Sequence, residues 1–176
     1  MENRFGFIRE KLDIKILILF ILKRLTAPID FDKLSELTMC DDGISYFDFA
    51  ECVDELVNTD HIYFDGNTYV ITDKGKRNGA VTESGIPYSV RLKAEKITAA
   101  FNAEIARNAM IVTGKEMKRG GGFTVSLSLS DGIDEILSMH LYAANEKQAD
   151  EIERGFRKNA ENIHFLFVCS YCTRFL

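Results

Sequence analysis

Leu56-Val57-Asn58-Thr59-Asp60-His61-Ile62-Tyr63-Phe64-Asp65-Gly66-Asn67-Thr68-Tyr69-Val70-Ile71-Thr72-Asp73-Lys74-Gly75-Lys76 is the stretch that decides the fold. It reads as the end of a helix, a short β-hairpin and the start of another helix. Taking Gly66-Asn67 as a two-residue turn sets Asp65 opposite Thr68, Phe64 opposite Tyr69, Tyr63 opposite Val70 and Ile62 opposite Ile71. The pairs Phe64/Tyr69 and Ile62/Ile71 then share one face, as a hairpin lying on a core requires.

Three helical patterns precede the hairpin. The first runs from about Leu12 to Leu25 and is apolar nearly all round in its middle, which predicts burial on most sides. Ala27-Pro28 ends it. Asp30 is placed to cap a second helix that points Phe31, Leu34 and Leu37 inward. Asp41-Asp42-Gly43 marks a turn. Ser45 then caps a third helix, with Asp48 in the capping-box position. Tyr46, Phe49, Ala50, Val53, Leu56 and Val57 fall on its inner face. Its outward positions are Phe47, Asp48, Glu51, Cys52, Asp54, Glu55 and Asn58. After the hairpin, Thr72 caps a short helix ending near Gly79, and residues 80–85 read as a linker.

Pro87 opens a long helix over about 88–108. Its stripe of Val90, Ala94, Ile97, Phe101 and Ile105 is narrow enough for a coiled-coil seam, or for a helix that covers a sheet. Phe123, Val125, Leu127 and Leu129 alternate with Thr124 and serines, the mark of a half-buried strand. Residues 110–118 pair with it across Gly120-Gly121-Gly122. Leu137, Met139 and Leu141 alternate again after Asp131-Gly132, completing an antiparallel meander. Asn145 and Gln148 cap a helix carrying Ala149, Ile152 and Phe156. The apolar run Ile163 to Val168 reads as a last buried strand. These patterns give an α+β chain: a domain over 1–80, and a smaller one over 86–176 made of a helix, three strands, a helix and a strand.

The 176 residues carry a net charge of −5. All of the excess lies in residues 1–80, with 10 basic side chains against 15 acidic ones. Four of the seven outward positions of the third helix are carboxylates and none is basic. Carboxylates accept from cytosine N4 but repel phosphates. Cations come instead from Lys74, Lys76 and Arg77 behind the hairpin, and from Lys23, Arg24 and Lys33. No apolar run approaches the ~20 residues of a spanning helix. Ile16 to Leu22 ends in Lys23-Arg24 rather than in the small residues of a signal peptide, so a cytoplasmic protein without a membrane segment is expected.

Cys169-Ser170-Tyr171-Cys172 is a lone CxxC. Without a second pair it is no zinc ribbon. Placed at a strand end with no helix after it, it is no thioredoxin-type site either, and buried structural cysteine is expected. Arg119-Gly120-Gly121-Gly122 matches no phosphate loop and reads as a hairpin connection. His61, His140 and His164 are scattered, and no HExxH or GxSxG motif occurs. No catalytic residue, metal or cofactor is therefore expected, and the protein is not expected to be an enzyme.

Ser45 to Asn58, His61 to Phe64, the Gly66-Asn67 turn and Tyr69 to Lys76 together resemble winged helix-turn-helix transcriptional regulators. The ending Tyr-x-Ile-Thr-x-Lys-Gly is common in them. The run Lys15 to Leu22, the start Ser45-Tyr46-Phe47, the hairpin and the α/β tail also resemble, more narrowly, a bacterial family numbered 4364 among domains of unknown function. The resemblance implies an N-terminal winged helix-turn-helix and a DNA-binding transcriptional regulator. It places Ser45, Tyr46, Phe47, Asp48 and Glu51 near a major groove of double-stranded DNA. Asp65, Gly66, Asn67 and Thr68 would lie near the backbone or minor groove. Lys74 and Lys76 join this set as candidate phosphate contacts. A homodimer is expected, held by the 88–108 helix, the first helix or both, with the second domain dimerising or sensing; no ligand is implied. The alternative reading is a protein–protein interaction module that keeps the shape without binding DNA, with Phe47 as its exposed anchor.

Overall fold

A computed structural model describes residues 6–8 and 10–172, and shows an α+β chain with two antiparallel sheets. Its residues divide into two compact units, 1–103 and 104–176. The division falls inside a helix rather than at the 80–86 boundary expected from the sequence.

The first unit contains α1 (Lys11–Leu22), α2 (Phe31–Thr38), α3 (Tyr46–Asn58), β1 (Ile62–Phe64), β2 (Tyr69–Ile71), α4 (Asp73–Thr82) and most of α5 (Tyr88–Met110). α1 packs against α2, α3, α4 and β2. Every residue from Ile16 to Leu22 is buried, which is why a helix apolar on all sides suits this position. The expected caps form: Asp30 accepts from the backbone N–H of Lys33, Ser45 from that of Asp48 and Thr72 from that of Gly75. Each such cap contributes about 1 kcal/mol. The buried carboxylate of Asp41 accepts from the backbone N–H groups of Phe7, Ile8 and Gly43, tying the N-terminal segment to the α2–α3 turn.

The hairpin has the register read from the sequence, with Ile62 opposite Ile71, Tyr63 opposite Val70 and Phe64 opposite Tyr69. Ile62 and Ile71 are buried in the same core as Val53 and Leu56 of α3. Phe64 and Tyr69 stack with ring centroids 4.5 Å apart. Gly66 takes φ 99°, the left-handed conformation the turn demands, which glycine adopts without penalty. Ile29 adds a bridge to the free edge of β2, exchanging two backbone hydrogen bonds with Tyr69 at 3.2 and 2.7 Å.

Four expectations in this unit are corrected. Residues 80–85 are not a linker: α4 runs on to Thr82 and a 3-10 turn covers Glu83–Gly85. Gly79 does not end the helix, because it faces Leu19 of α1, whose Cβ would lie 3.3 Å from any added Cβ. Cys52 is fully buried rather than outward, and its thiol donates to the carbonyl of Lys11. Tyr46, expected inside, is 53% exposed, its ring meeting that of Phe31 nearly at right angles with centroids 6.1 Å apart while Phe49 fills the core instead. Four of the five residues of the α5 stripe are covered within the unit: Val90 and Ala94 are buried, and Ile97 and Phe101 pack on the same core. It therefore faces the helical unit rather than a sheet.

The second unit contains the end of α5, β3 (Ile111–Met117), β4 (Phe123–Ser130), β5 (Glu135–Ala143) and α6 (Glu146–Cys172). The strands form the expected meander, in the order β3-β4-β5. Val125, Leu127 and Leu129 are buried on the face covered by α6, which contributes Ala149, Phe156 and Ala160. Asn145 caps α6 by accepting from the backbone N–H of Gln148 at 2.9 Å. The predicted strand Ile163 to Val168 does not exist; these residues continue α6. The stripe Ala149, Ile152, Phe156, Ala160, Ile163 steps by three and four with no proline to break it, so the helix continues past the sheet. The CxxC accordingly lies in the last turn of a helix, where Cys169 is half-buried. The Cys172 side chain lies outside the described residues.

Gly75 is required by close approach, since a Cβ there would sit 2.2 Å from the carbonyl oxygen of His61. Gly75→Ala is expected to cost about 1–3 kcal/mol in urea unfolding, because that neighbour is rigid backbone. Gly85→Ala, which meets nothing within 4 Å, serves as the near-neutral comparison.

Candidate nucleic-acid interface

The inner face of α3 is marked by buried Phe49, Cys52, Val53 and Leu56. At 100° per residue the opposite strip is Phe47, Glu51, Asp54 and Asn58, and all four are exposed. Phe47 is the most open, at 83%. Ser45 and Asp48 are occupied at the helix start: the Asp48 N–H donates to Ser45 Oγ at 3.2 Å, and Ser45 Oγ donates to Asp48 Oδ2 at 2.9 Å.

α1 neutralises half of the acidic surface. Lys11 pairs with Glu51 at 2.5 Å, and Lys15 pairs with Glu55. Lys15 holds the Glu55 carboxyl below the usual range, through its hydrogen bond first and its charge second. The pairing had a signal in the sequence. Lys11/Lys15 and Glu51/Glu55 share the same four-residue spacing, as two facing helices need, yet reading α3 alone leaves them unconnected.

The hairpin turn is closed on itself. The backbone N–H groups of Asn67 and Thr68 donate to Asp65 Oδ1 at 2.9 and 2.7 Å, and Thr68 Oγ1 donates to Oδ2. These bonds hold the Asp65 carboxyl low. They also turn the two tip amides toward Asp65 instead of outward. The candidate cations are engaged as well. Lys74 donates to the carbonyl of Thr59 at the end of α3, and Lys76 faces Asp73 at 3.4 Å. Lys23 and Arg24 meet Glu83, and Lys33 meets Glu36. Among the described residues, Arg77 is the one of these six without an acidic or carbonyl partner.

Sequence reading did not anticipate the row of rings that joins these elements. Phe47, Tyr46, Phe31, Tyr69 and Phe64 follow one another at centroid spacings of 6.2, 6.1, 6.2 and 4.5 Å. The row runs from the start of α3 to the hairpin, exposed at both ends.

His61 ties the hairpin to α4. Its Nδ1 lies 2.9 Å from Thr59 Oγ1 and its Nε2 lies 2.7 Å from Asn78 Nδ2. An amide nitrogen only donates, so Nε2 is the acceptor and the ring is neutral. Partial burial, helped by the Lys74 charge, holds its pKa below the ordinary histidine value of 6.5.

In the second unit the sheet face away from α6 carries half-buried serines of β4 beside the exposed Val112, His140 and Tyr142. Ser126 Oγ and His140 Nδ1 meet across β4 and β5 at 3.0 Å, and Ser128 donates to Glu135. A shallow cavity of about 400 Å³ lies over this face. Among the described residues no group of three or more His, Cys, Asp or Glu could hold a metal, and no helix is long and apolar enough to cross a membrane.

A family model described as "Domain of unknown function (DUF4364)" matches residues 14–168. Neither a curated protein nor a solved structure matches the chain.

Because His61 is harder to protonate folded than unfolded, it stabilises the fold above pH 6.5, and that stability is lost as pH falls through its lowered folded value. The unfolding free energy of the wild type is expected to drop between pH 7.5 and 5.5. His61→Gln is expected to flatten that slope, as followed by urea titration at each pH.

Proposed function

The chain belongs to this family of unknown function, and we propose that it is a cytoplasmic, non-catalytic regulator of transcription whose first unit is a winged helix-turn-helix. The observation that supports this reading is the placement of the hairpin. It folds onto the helices through Ile62 and Ile71, and the strip Phe47, Glu51, Asp54 and Asn58 stays uncovered. In this reading α3 enters a major groove and the turn Gly66-Asn67 approaches the backbone beside it. The ion pairs on this surface do not forbid it. Exposed pairs contribute about 0–1 kcal/mol each, so Lys11, Lys33 or Lys76 can exchange a carboxylate for a phosphate at little cost. The second unit then serves dimerisation or sensing.

The engaged cations and the open ring of Phe47 favour a second reading, a protein-docking module of the same shape. Binding of a fluorescent 30-base-pair duplex at 50 and 200 mM salt separates the two. Three neutralised phosphates would weaken binding about 40-fold between these salts, and Asp54→Arg would strengthen it. Absence of binding at both salts overturns the regulator reading.

A further inference from the structure

The inward row of the sheet changes character from one edge to the other. Across the register, Ile111, Leu129 and Leu137 lie side by side, then Thr113, Leu127 and Met139, then Lys115, Val125 and Leu141. α6 lies over the middle strand, and Val125, Leu127 and Leu129 are buried beneath it. Toward the β3 edge the row turns polar, and that edge is occupied. Lys115 pairs with Glu146 and Asp150 of α6 at 2.9 and 2.6 Å, and Arg157 donates to the carbonyl of Ile111. Toward the β5 edge the row stays apolar and its cover runs out. Leu137 and Met139 are only half-buried, and Leu141 is 41% exposed. The backbone of β5 is open as well. Every second residue turns its N–H and C=O away from β4, and among the described residues no other segment bonds to them. From Ile136 to Ala143 the strand carries no Asp, Glu, Lys, Arg or Pro, residues that commonly blunt an edge. Its irregularity lies at its start, beside Ser130.

We propose that β5 pairs with β5 of a second copy of this chain, antiparallel about a twofold axis through Met139, joining the two sheets into one of six strands. Open backbone groups call for a strand as the occupant, and the symmetry of β5 selects a second β5. Only an axis through a residue sets inward side chains beside inward ones. Met139 is the midpoint of Glu135–Ala143, so the axis there gives the longest overlap. It places Leu137 of one copy opposite Leu141 of the other, and Met139 opposite its counterpart, so the half-covered row closes on itself. On the outward side Ser138 meets His140 of the other copy, the pairing that Ser126 and His140 already make within the sheet at 3.0 Å. An axis through His140 would set two histidines face to face, and one through Ser138 would set Glu135 against Leu141. The helices fit too. The axis is perpendicular to the sheet, so both α6 helices stay on one side, over strands three spacings, or about 14 Å, apart. Packed helices need about 8–10 Å, and Leu137, Met139 and Leu141 of both copies lie in the interval between them. Main-chain bonds, about one per residue of overlap, hold the pair, so the dimer is reversible rather than obligate.

The pairing rests on the reading of the second unit as a dimerisation module, and since its test uses no nucleic acid, the regulator reading and this one fail separately. Sedimentation velocity of the full chain is expected to show twice the 20.0 kDa monomer mass at high micromolar concentration, reverting to monomer on dilution. Leu141→Lys puts a charge into the edge row opposite Leu137 and is expected to weaken association at least about tenfold with an unchanged far-UV spectrum. Val112→Lys, at an exposed residue of the other edge strand, is expected to leave association unchanged. Amide exchange of the wild type at low and high protein concentration reads the interface without mutation: protection must rise over 136–143 and stay level over 112–117. A wild type still monomeric at ~100 µM, a dimer indifferent to Leu141→Lys, or protection that rises elsewhere and not in β5 overturns the proposal.

Discussion

The first unit depends on the burial of Ile62 and Ile71 against Val53 and Leu56. A two-stranded hairpin is at best marginally stable in water without a surface to lie on. Here the surface is α3, itself held on α1. Losing a buried isoleucine from such a site costs about 2–5 kcal/mol, a large share of the stability of a domain this size. Thr72 and Gly75 extend the same constraint into α4. The Thr72 hydroxyl caps that helix and donates to backbone carbonyls at the base of the hairpin, while Gly75 lets the helix backbone approach His61. One turn of chain thus closes the hairpin, starts a helix and sets the distance between them.

Electrostatics on this unit are resolved between elements rather than within them. α3 is acidic when read alone, but α1 supplies Lys11 and Lys15 at the matching spacing. Lys74 sits at the C-terminal end of α3, where the helix dipole favours a cation. These contacts change what the surface offers a partner: less repulsion of phosphate than the sequence suggests, and fewer uncommitted cations to attract it. The exposed aromatic row between α3 and the hairpin is the other component of that surface.

The second unit follows from one-sided burial. β4 alternates Val125, Leu127 and Leu129 with Ser126, Ser128 and Ser130, so a single helix suffices to cover it. α6 does so with small residues, Ala149 and Ala160, on either side of Phe156. Its length exceeds that task, and the excess is apolar.

The sequence by itself determined the local features: caps at Asp30, Ser45, Thr72 and Asn145, the register of the first hairpin and the buried face of β4, while Phe64 and Leu141, read as inward, stay partly exposed. The caps, the register and the face follow from hydrogen bonds and periodicities a few residues long. Composition also identified α1 as central, since only full burial suits such a helix. The tertiary structure decided what depended on a distant neighbour. Cys52 turned inward beside α1, Gly79 became a packing contact instead of a helix end, and most of the α5 stripe was spent on its own unit. Residues 163–168 carry an apolar run that fits a strand or a helix equally well. The choice fell to helix because the stripe beginning at Ala149 carried the backbone hydrogen-bonding onward, and a short apolar run has no periodicity of its own to resist it.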